Sequence, residues 1–268
     1  MKNFGNNISY KLGDRYLMII ADYHIHSRYS HGIGTILENA ENAQKKGLKE
    51  IAITDHGFGH SFFSMKHRDI PKIRADIDEA QKKTEIKIYF GIEANFISTT
   101  GEVDISQSDL QQLDIVLVGH HRFVESSLKD KFTYLLPNIV LGRYVSERVK
   151  QKNTAITLAA MEKYPIDILT HLNYQFPIDV RQVAKKAKQT HTFFELNEYK
   201  VNFLSPSDFE ILIEEKVDLV INSDAHCPKR IGCFRNALEA VEKYKVPKEQ
   251  IVNWDKVPIF KKFNKDLK

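Results

Sequence analysis

The chain reads IAITDHG at residues 51–57, an apolar run that ends in an aspartate, a histidine and a glycine. Its length and its isoleucines predict a buried strand. A core histidine would more naturally lie within such a strand, whereas His56 stands where the strand breaks. The stretch therefore predicts a strand that presents a functional side chain at its carboxyl end.

Similar apolar runs alternate with longer amphipathic segments along almost the whole chain, which predicts repeated βα units. Such a chain forms an open doubly wound sheet or a closed barrel, and both place their sites at the carboxyl ends of the strands. The segments predicted to be strands are residues 17–24, 50–54, 86–93, 114–119, 167–171, 192–197 and 218–223.

Capping residues and prolines mark the helices between these strands. Thr35 and Glu38 match a capping box, and Gly47 suits the position after a last helical turn. Residues 125–143 fit no simple unit and are predicted to form a long loop over one face. Helices are predicted over residues 35–46, from Pro71 to about residue 83, over residues 155–164 before Pro165, and from Ser205-Pro206 onward.

Potential metal ligands stand at six of the seven predicted strand ends. Because these ends meet on one face of a βα fold, the side chains are expected to converge. A carboxylate such as Glu93 is costly to bury unless a cation or hydrogen-bond donors meet it, so Glu93 is a candidate bridge between ions. The ligand positions are His24 and His26, His56, Glu93, His121, His171, and Asp224 with His226.

Local spacing leaves some choices open. The alternation of a strand would place Asp22, His24 and His26 on one face. His120 and His121 point to opposite sides of an extended chain, so one of the two is expected to ligate, and spacing alone does not say which. Among the remaining histidines, His60 is expected to be a solvated loop residue, and the alternative is that it donates a hydrogen bond to substrate. His191 is expected on the surface far from the site. His31 is expected to fold back over the first strand end.

Taken in order, the motifs resemble those of the PHP (polymerase and histidinol phosphatase) family, in particular its stand-alone bacterial phosphatases. The resemblance implies a distorted TIM-like (β/α)7 barrel with a trinuclear metal site at its C-terminal face. The matching segments are DYHIH at residues 22–26, TDHG at 54–57, GIE at 91–93, GHH at 119–121, TH at 170–171 and SDAH at 223–226, within a core of about residues 20–235.

The resemblance also implies the ligands. The first ion would be held by His24, His26, Glu93 and Asp224. The second would share Glu93 and also be held by His121 and His171, with His121 preferred because position 120 is commonly apolar in related sequences. The third would be held by His31, His56 and His226. Among these residues the candidate catalytic ones are Glu93, Asp224 and His226.

Imidazole and carboxylate ligands without thiolate suit zinc, manganese or iron, so the three ions that the resemblance implies are expected to be divalent transition metals. Arginine matches the oxygens of phosphate, which makes Arg122 and Arg28 the candidate substrate-binding residues. The carboxylates of Asp22 and Asp55 are expected to orient the ligating imidazoles. Glu195 and Asn197 are expected either to support the site or to make only local hydrogen bonds.

Composition limits the class of protein. A chain of 268 residues with 42% hydrophobic residues can bury one large core, so a single domain over residues 1–268 is expected. The 39 basic and 35 acidic residues are mixed, which does not favour nucleic acid as a partner. Cys227 and Cys233 are expected to be reduced thiols. The apolar run at residues 17–21 is too short for a signal peptide or membrane span, which favours a cytoplasmic protein.

The sequence thus favours a metal-dependent phosphoesterase that hydrolyses a small phosphate monoester with water activated by the ions. Histidinol phosphate is one candidate, because the family includes histidinol phosphatases. One alternative is a nuclease or phosphodiesterase acting on nucleotides or DNA, which the unclustered basic residues disfavour. Another is a non-catalytic metal-binding module, which the apparently complete ligand set disfavours. The oligomeric state does not follow from the sequence.

Overall fold

Parallel strands form the centre of the molecule. The computed structural model describes residues 10–12, 15–17 and 19–264, and begins with a short antiparallel hairpin of β1 (Tyr10–Leu12) and β2 (Arg15–Leu17). Within residues 19–264, seven strands pair in chain order, each parallel to the next. They are β3 (Ala21–Ile25), β4 (Glu50–Ile53), β5 (Lys87–Asn95), β6 (Ile115–Gly119), β7 (Ile168–Leu169), β8 (Phe193–Asn197) and β9 (Leu219–Asn222).

The first and last of these parallel strands meet at their carboxyl ends. Ile25 bridges Ala225, the backbone N–H of His26 donates to the carbonyl of Ala225 (2.9 Å), and the N–H of Ala225 donates to the carbonyl of His24 (3.2 Å). The sheet is therefore a nearly closed barrel. This confirms the predicted distorted (β/α)7 TIM-like fold.

The interior of the barrel changes character from one end to the other. At the amino ends of the strands, Tyr23 and Tyr89 pack edge-on against Phe260, with ring centroids 4.8 and 5.3 Å away. Along β5 the alternation of the strand then places Glu93 on the same face as Tyr89. An apolar plug thus fills one end of the barrel, and ionisable side chains occupy the other.

Helices surround the strands, and their apolar faces join outward-facing strand residues such as Ile51, Ile88 and Ile92 in the larger buried cluster. Among the described residues, no helix combines the length and apolar character needed to cross a bilayer. The helices are α1 (Ile36–Lys45), α2 (Ile70–Lys83), α3 (Gln107–Gln112), α4 (Leu128–Asp130), α5 (Leu136–Leu141), α6 (Glu147–Lys163), α7 (Val180–Gln189), α8 (Pro206–Glu215) and α9 (Arg235–Tyr244).

The helix ends agree with the capping signals in the sequence. At α1, Thr35 Oγ1 accepts from the N–H of Glu38 (3.1 Å), and Glu38 Oε2 accepts from the N–H of Thr35 (2.8 Å), which completes the predicted capping box. Prolines lie in the first turns of α2 and α8, and α6 ends at Lys163, just before Tyr164 and Pro165.

The prediction of a long loop over residues 125–143 is wrong. Ser127 caps α4, the backbone continues through a π-helical turn at Lys131–Leu135 into α5, and Gly142 with φ 53° ends α5. The segment was missed because many of its apolar side chains are exposed, so it shows no helical stripe of core residues. Its cap at Ser127 and its glycine at the helix end were the available signals.

The predicted first strand also had the wrong bounds and geometry. Residue 17 belongs to β2, and the barrel strand begins at Ala21. Pairing of β3 with β4 shifts register between Asp22 and Ile25, so strict alternation does not hold there. As a result Asp22 does not share a face with His24 and His26, whereas the two imidazoles both approach Glu93, as predicted.

The capping box of α1 provides a test of the fold. We expect Thr35→Ala to lower the free energy of unfolding by about 1 kcal/mol, because the first-turn N–H of Glu38 loses its acceptor. Thr35→Ser keeps the hydroxyl and is the matched control, expected to lose less than half as much. Denaturant unfolding followed by circular dichroism measures both, and equal losses would show that the hydroxyl does not cap the helix.

Candidate metal centre

A single buried carboxylate lies at the centre of the polar end of the barrel. Glu93 is 1% exposed, and among the described residues its oxygens lie within 3.6 Å of ring nitrogens of five histidines. Burial opposes ionisation, but the surrounding imidazoles hold the pKa of Glu93 well below its usual range. The distances are 2.7 Å to His171, 2.8 Å to His56, 3.2 Å to His24, 3.2 Å to His121 and 3.6 Å to His26.

The approach of two of these histidines depends on a glycine. A Cβ atom at Gly119 would lie 2.4 Å from Thr170 Oγ1, 2.9 Å from His171 Cε1 and 3.1 Å from His121 Cε1. Real side chains essentially never come so close, so a larger residue would displace both rings. The glycine that ends β6 therefore sets how tightly the cluster packs around Glu93.

Two of the predicted ligands adopt a left-handed backbone conformation. His171 has φ 31° and Asp224 has φ 51°, values that non-glycine residues adopt at a cost of about 1 kcal/mol or more. His171 follows β7 and Asp224 follows β9. Such strain clusters at functional sites, where the surrounding structure enforces it.

A second carboxylate lies beside the first. Asp224 Oδ1 is 3.3 Å from Nε2 of His26 and 3.6 Å from Nε2 of His24. Its Oδ2 accepts from Nδ2 of Asn197 (3.2 Å) and contacts Nζ of Lys200. Burial disfavours the charged form of Lys200, yet the contact with Asp224 raises the pKa of Lys200 above its usual value.

The sequence analysis missed Lys200. It lies three residues after the end of β8, the one strand end that carried no predicted ligand, and its side chain lines the same cavity as the histidines. A lysine just past a barrel strand was the available signal. Its ammonium group places a fixed positive charge beside Asp224.

The outer part of the cluster is a stack of imidazoles. Ring centroids are 4.0 Å apart for His31 and His226, 4.2 Å for His26 and His226, and 4.8 Å for His31 and His56. The Nδ1 of His226 is 2.9 Å from the carbonyl oxygen of Asp224, which can only accept, so Nδ1 carries the proton and Nε2 keeps its lone pair. The outer rings are thus arranged as potential donors to a cation.

The donor set fits divalent metal ions. Within the described part of the chain, Nε2 of His24, Nε2 of His26, Nδ1 of His56 and Oε2 of Glu93 are buried and make no well-aligned hydrogen bond. Unpaired polar atoms are costly to bury, and a shared cation satisfies their lone pairs. Burial lowers the pKa of His56 and of His31 to about 4, so both rings are neutral at pH 7, as metal binding requires.

Potential ligand atoms form three overlapping groups, each within 4.8 Å, in the residues that the structure describes: His26, His31, His56 and His226; His24, His26 and Glu93; and His56, Glu93 and His121. This arrangement differs in part from the expected one. His26 belongs to the outer group, the one with His31, His56 and His226, as well as to the group with His24 and Glu93. His56 likewise lies beside Glu93 and His121. His171 and Asp224 stand outside the three groups. Nε2 of His171 pairs with Glu93 Oε1, and Oδ2 of Asp224 contacts Lys200.

The structure separates the two adjacent histidines. His120 Nδ1 pairs with the hydroxyl of Tyr134 (2.5 Å), its Nε2 pairs with Thr157 Oγ1 (3.0 Å), and its ring stacks on Phe96. Both of its nitrogens are therefore used in the core. His121 Nε2 instead faces Glu93.

Glu195 supports the cluster, one of the two roles expected for it. Its Oε1 lies 2.7 Å from Nδ1 of His24, and its Oε2 accepts from the backbone N–H of His171 (2.9 Å) and from Nδ2 of Asn197 (3.0 Å). Because the carboxylate accepts a hydrogen bond from the Nδ1–H of His24, Nε2 is the nitrogen of that ring that faces Glu93.

The expectation that Asp22 and Asp55 orient imidazoles directly is wrong. Asp22 accepts from the backbone N–H groups of Ser223 and Gly232, each at 3.0 Å. Asp55 accepts from the hydroxyls of Ser27 (2.6 Å) and Ser30 (2.5 Å). Both carboxylates therefore hold loops together. Asp55 approaches the cluster only through Ser30, whose oxygen is 3.4 Å from His26 Nδ1.

The two candidate arginines lie in different places. Arg122 lines the cavity of about 320 Å³ over the cluster, and its Nε is buried with no hydrogen-bond partner among the described residues. Arg28 is half-exposed and forms an ion pair with Asp76 (3.1 Å), away from this cavity. The structure therefore contradicts the predicted phosphate role of Arg28, because a nearby carboxylate already engages its guanidinium.

The expectation of a solvated His60 is also wrong. Its side chain is buried and stacks on His56 with centroids 4.6 Å apart. Its Nδ1 accepts from the backbone N–H groups of Phe63 (3.2 Å) and Phe62 (3.4 Å), so the neutral ring carries its proton on Nε2. Burial lowers the pKa of His60 to about 3. His191 is exposed, as predicted.

Comparison with known proteins agrees with the fold and the motifs. The PHP domain family matches residues 22–256. A probable phosphatase of Shewanella sediminis is 30% identical over 248 residues, covering 87% of this chain and 89% of that protein. A probable phosphatase of Aliivibrio fischeri is 26% identical over 249 residues, with 87% and 89% covered.

Solved structures resemble the barrel. A histidinol phosphate phosphatase from Lactococcus lactis, complexed with zinc, L-histidinol and phosphate, superposes with a TM-score of 0.58 at 17% identity, covering 90% of this chain and 96% of that one. A putative histidinol phosphatase from Listeria monocytogenes gives 0.51 at 17% identity, with 80% and 97% covered. With a family match over most of its length and ordered histidine motifs around Glu93, the chain belongs to the PHP family.

Proposed function

We propose that this protein is a metal-dependent phosphoesterase that hydrolyses small phosphate monoesters. The observation that carries the proposal is the buried Glu93 carboxylate surrounded by imidazoles whose ring nitrogens largely lack hydrogen-bond partners. The names of the relatives, probable phosphatases, support the same reaction class.

Three ions are proposed, of zinc, manganese or iron. When bound, such ions hold phosphate oxygens, offset their charge and lower the pKa of a water ligand. The ligands would be His24, His26, Glu93 and Asp224 for the first ion, Glu93, His121 and His171 for the second, and His31, His56 and His226 for the third. Because His26 lies close to His31, His56 and His226, and His56 lies close to Glu93, either of these two imidazoles could be held by a neighbouring ion instead of the one assigned here.

The residues around the ions would bind and orient the substrate. Arg122 offers a guanidinium whose buried Nε needs an acceptor, which a phosphate oxygen provides. The Nε2–H of His60 can donate to another oxygen, because its Nδ1 is already an acceptor. Lys200 offsets the charge of Asp224, so that less negative charge faces an incoming phosphate dianion.

The size of the cavity and the charge of the chain support a small substrate. A cavity of about 320 Å³ is at the small end of the range for ligand pockets. The basic residues are mixed with acidic ones along the chain, whereas a polynucleotide needs a basic track along its backbone. Histidinol phosphate is the first compound to test, since the Lactococcus lactis structure contains L-histidinol and phosphate.

A panel of substrates tests the function. We expect the metal-loaded protein to release phosphate from small monoesters, histidinol phosphate among them, faster than it cleaves single-stranded DNA, because a terminal dianion fits the cluster without further contacts. Phosphate release and oligonucleotide cleavage are measured at low salt. Faster cleavage of DNA than of every monoester would favour a nuclease, and no hydrolysis at all would favour a non-catalytic metal-binding protein.

The central carboxylate is tested by Glu93→Gln. We expect turnover to fall at least a hundredfold and the metal content, more than one equivalent in the wild type, to drop, because the amide keeps the volume but loses the charge. Elemental analysis and phosphate release measure the two effects. Glu198→Gln is the matched control, since Glu198 is also buried but accepts from the backbone of Asn236 and Ala237. A wild-type content of at most one equivalent after reconstitution would contradict the trinuclear site.

The role of Arg122 is tested against Arg28. We expect Arg122→Ala to raise KM for a monoester about tenfold or more, the effect of losing one charge-assisted hydrogen bond, while the metal content stays unchanged. Arg28→Ala should leave KM within about twofold, because Arg28 pairs with Asp76 outside the cavity. A loss of metal in Arg122→Ala, or equal effects in the two variants, would remove Arg122 from substrate binding.

A further inference from the structure

An apolar groove opens beside the metal cavity. Its volume is about 330 Å³, and its walls come from the π-helical turn at Lys131–Leu135, from α5 and from the loops after β4 and β6. Large apolar side chains in it remain accessible, including Phe62 (69% exposed), Phe132 (66%) and Leu136 (44%). A contiguous patch of exposed apolar side chains within a groove is typical of a binding site, whereas isolated exposed apolar residues are common on any protein surface.

The groove is continuous with the metal cavity. Arg122 and Phe123 line both. A series of aromatic contacts joins the two spaces, with ring centroids 4.5 Å apart for His31 and Phe63, 6.3 Å for Phe63 and Phe62, and 5.5 Å for Phe62 and Phe123. A ligand that reaches from one space into the other therefore passes aromatic rings and the guanidinium of Arg122.

Backbone hydrogen bonds fix the two loops that form this wall. The N–H of Ser61 donates to the carbonyl of Phe123 (2.9 Å), the N–H of Glu125 donates to the carbonyl of Gly59 (2.7 Å), and His60 bridges Val124. The groove and the metal cavity thus have a fixed mutual position. A preformed shape of this kind binds without a large ordering cost.

Arg122 stands where the two spaces meet, and its buried Nε has no hydrogen-bond partner among the described residues. On one side lie the imidazoles and Glu93, and on the other lie Phe62, Phe123 and the side chains of α5. A molecule with an anionic head and an apolar tail matches this arrangement, in which the polar cavity, Arg122 and the apolar groove follow one another. Its head would accept from the guanidinium, and its tail would cover the apolar walls.

We propose that the groove binds the alcohol part of the substrate, and that the preferred substrates are phosphate monoesters of apolar alcohols, alkyl or aromatic. The inference rests on the proposed phosphoesterase function. In the reaction, the oxygen of water forms a bond to phosphorus as the ester P–O bond breaks. The leaving oxygen takes up a proton, so the products are inorganic phosphate and an apolar alcohol held in the groove.

The test compares ethyl with hexyl phosphate. We expect kcat/KM for hexyl phosphate to exceed that for ethyl phosphate at least about tenfold, because each buried methylene contributes up to about fourfold. Ethylphosphonate and hexylphosphonate have no ester bond to hydrolyse, so they report binding alone. Calorimetry should give a lower dissociation constant for hexylphosphonate than for ethylphosphonate. Phe132→Ser and Leu136→Ser should each reduce the hexyl-to-ethyl ratio severalfold. Both side chains are accessible, so the variants are expected to fold.

The matched control is Ile259→Ser, an equally exposed apolar residue (66%) that lies outside the groove. It should leave the hexyl-to-ethyl ratio of kcat/KM unchanged.

Equal kcat/KM values and equal dissociation constants for the two chain lengths in the wild type would overturn the proposal even if both esters are hydrolysed. Absence of hydrolysis would refute the phosphoesterase function, and the phosphonate constants would still decide the groove. If Phe132→Ser instead halved the particle mass in light scattering and kept the ratio, the groove would be an interface between copies.

Discussion

The carboxylate of Glu93 is costly to bury at the centre of the barrel unless side chains from several strands supply hydrogen-bond donors or hold a cation beside it. Its neighbours are ring nitrogens from β3 and from the loops after β4, β6 and β7. A second carboxylate, Asp224 after β9, lies beside the histidine that follows β3. Parallel strands make this possible, because their carboxyl ends meet on one face. The opposite end of the barrel is filled mainly by aliphatic and aromatic side chains, and the buried carboxylate of Glu50 there accepts from the hydroxyl of Tyr23 (2.9 Å).

Much of this arrangement could be predicted from the sequence, because strands and helix ends are local signals. The seven barrel strands were correctly located to within a few residues, since their apolar runs are short and bounded by polar residues. Thr35 and Glu38 predicted the start of α1 for a similarly local reason. The topology alone then predicts that the residues at the strand ends converge, without any knowledge of how the side chains pack.

The rest depended on tertiary contacts that no local pattern records. Lys200 reaches Asp224 from a strand end without a predicted ligand, and Arg28 is engaged by Asp76, far along the chain. His60 resembles a loop residue until two backbone N–H groups and the ring of His56 enclose it. The helices of residues 128–141 were missed because many of their apolar side chains are exposed, several of them along a groove.

The closure of the barrel has a consequence for folding. Ligand positions run from His24 on β3 to His226 after β9, and Ala225 completes the ring against Ile25. Contacts at this seam join residues some 200 positions apart, so a site with side chains on both sides of the seam is complete only in the closed barrel. A cation that needs the closed ring stabilises the native state by mass action and adds nothing to an open chain. Opening of the seam between β3 and β9 would therefore separate His24 and His26 from Asp224 and His226, so a metal ion that needs both sides would oppose this opening.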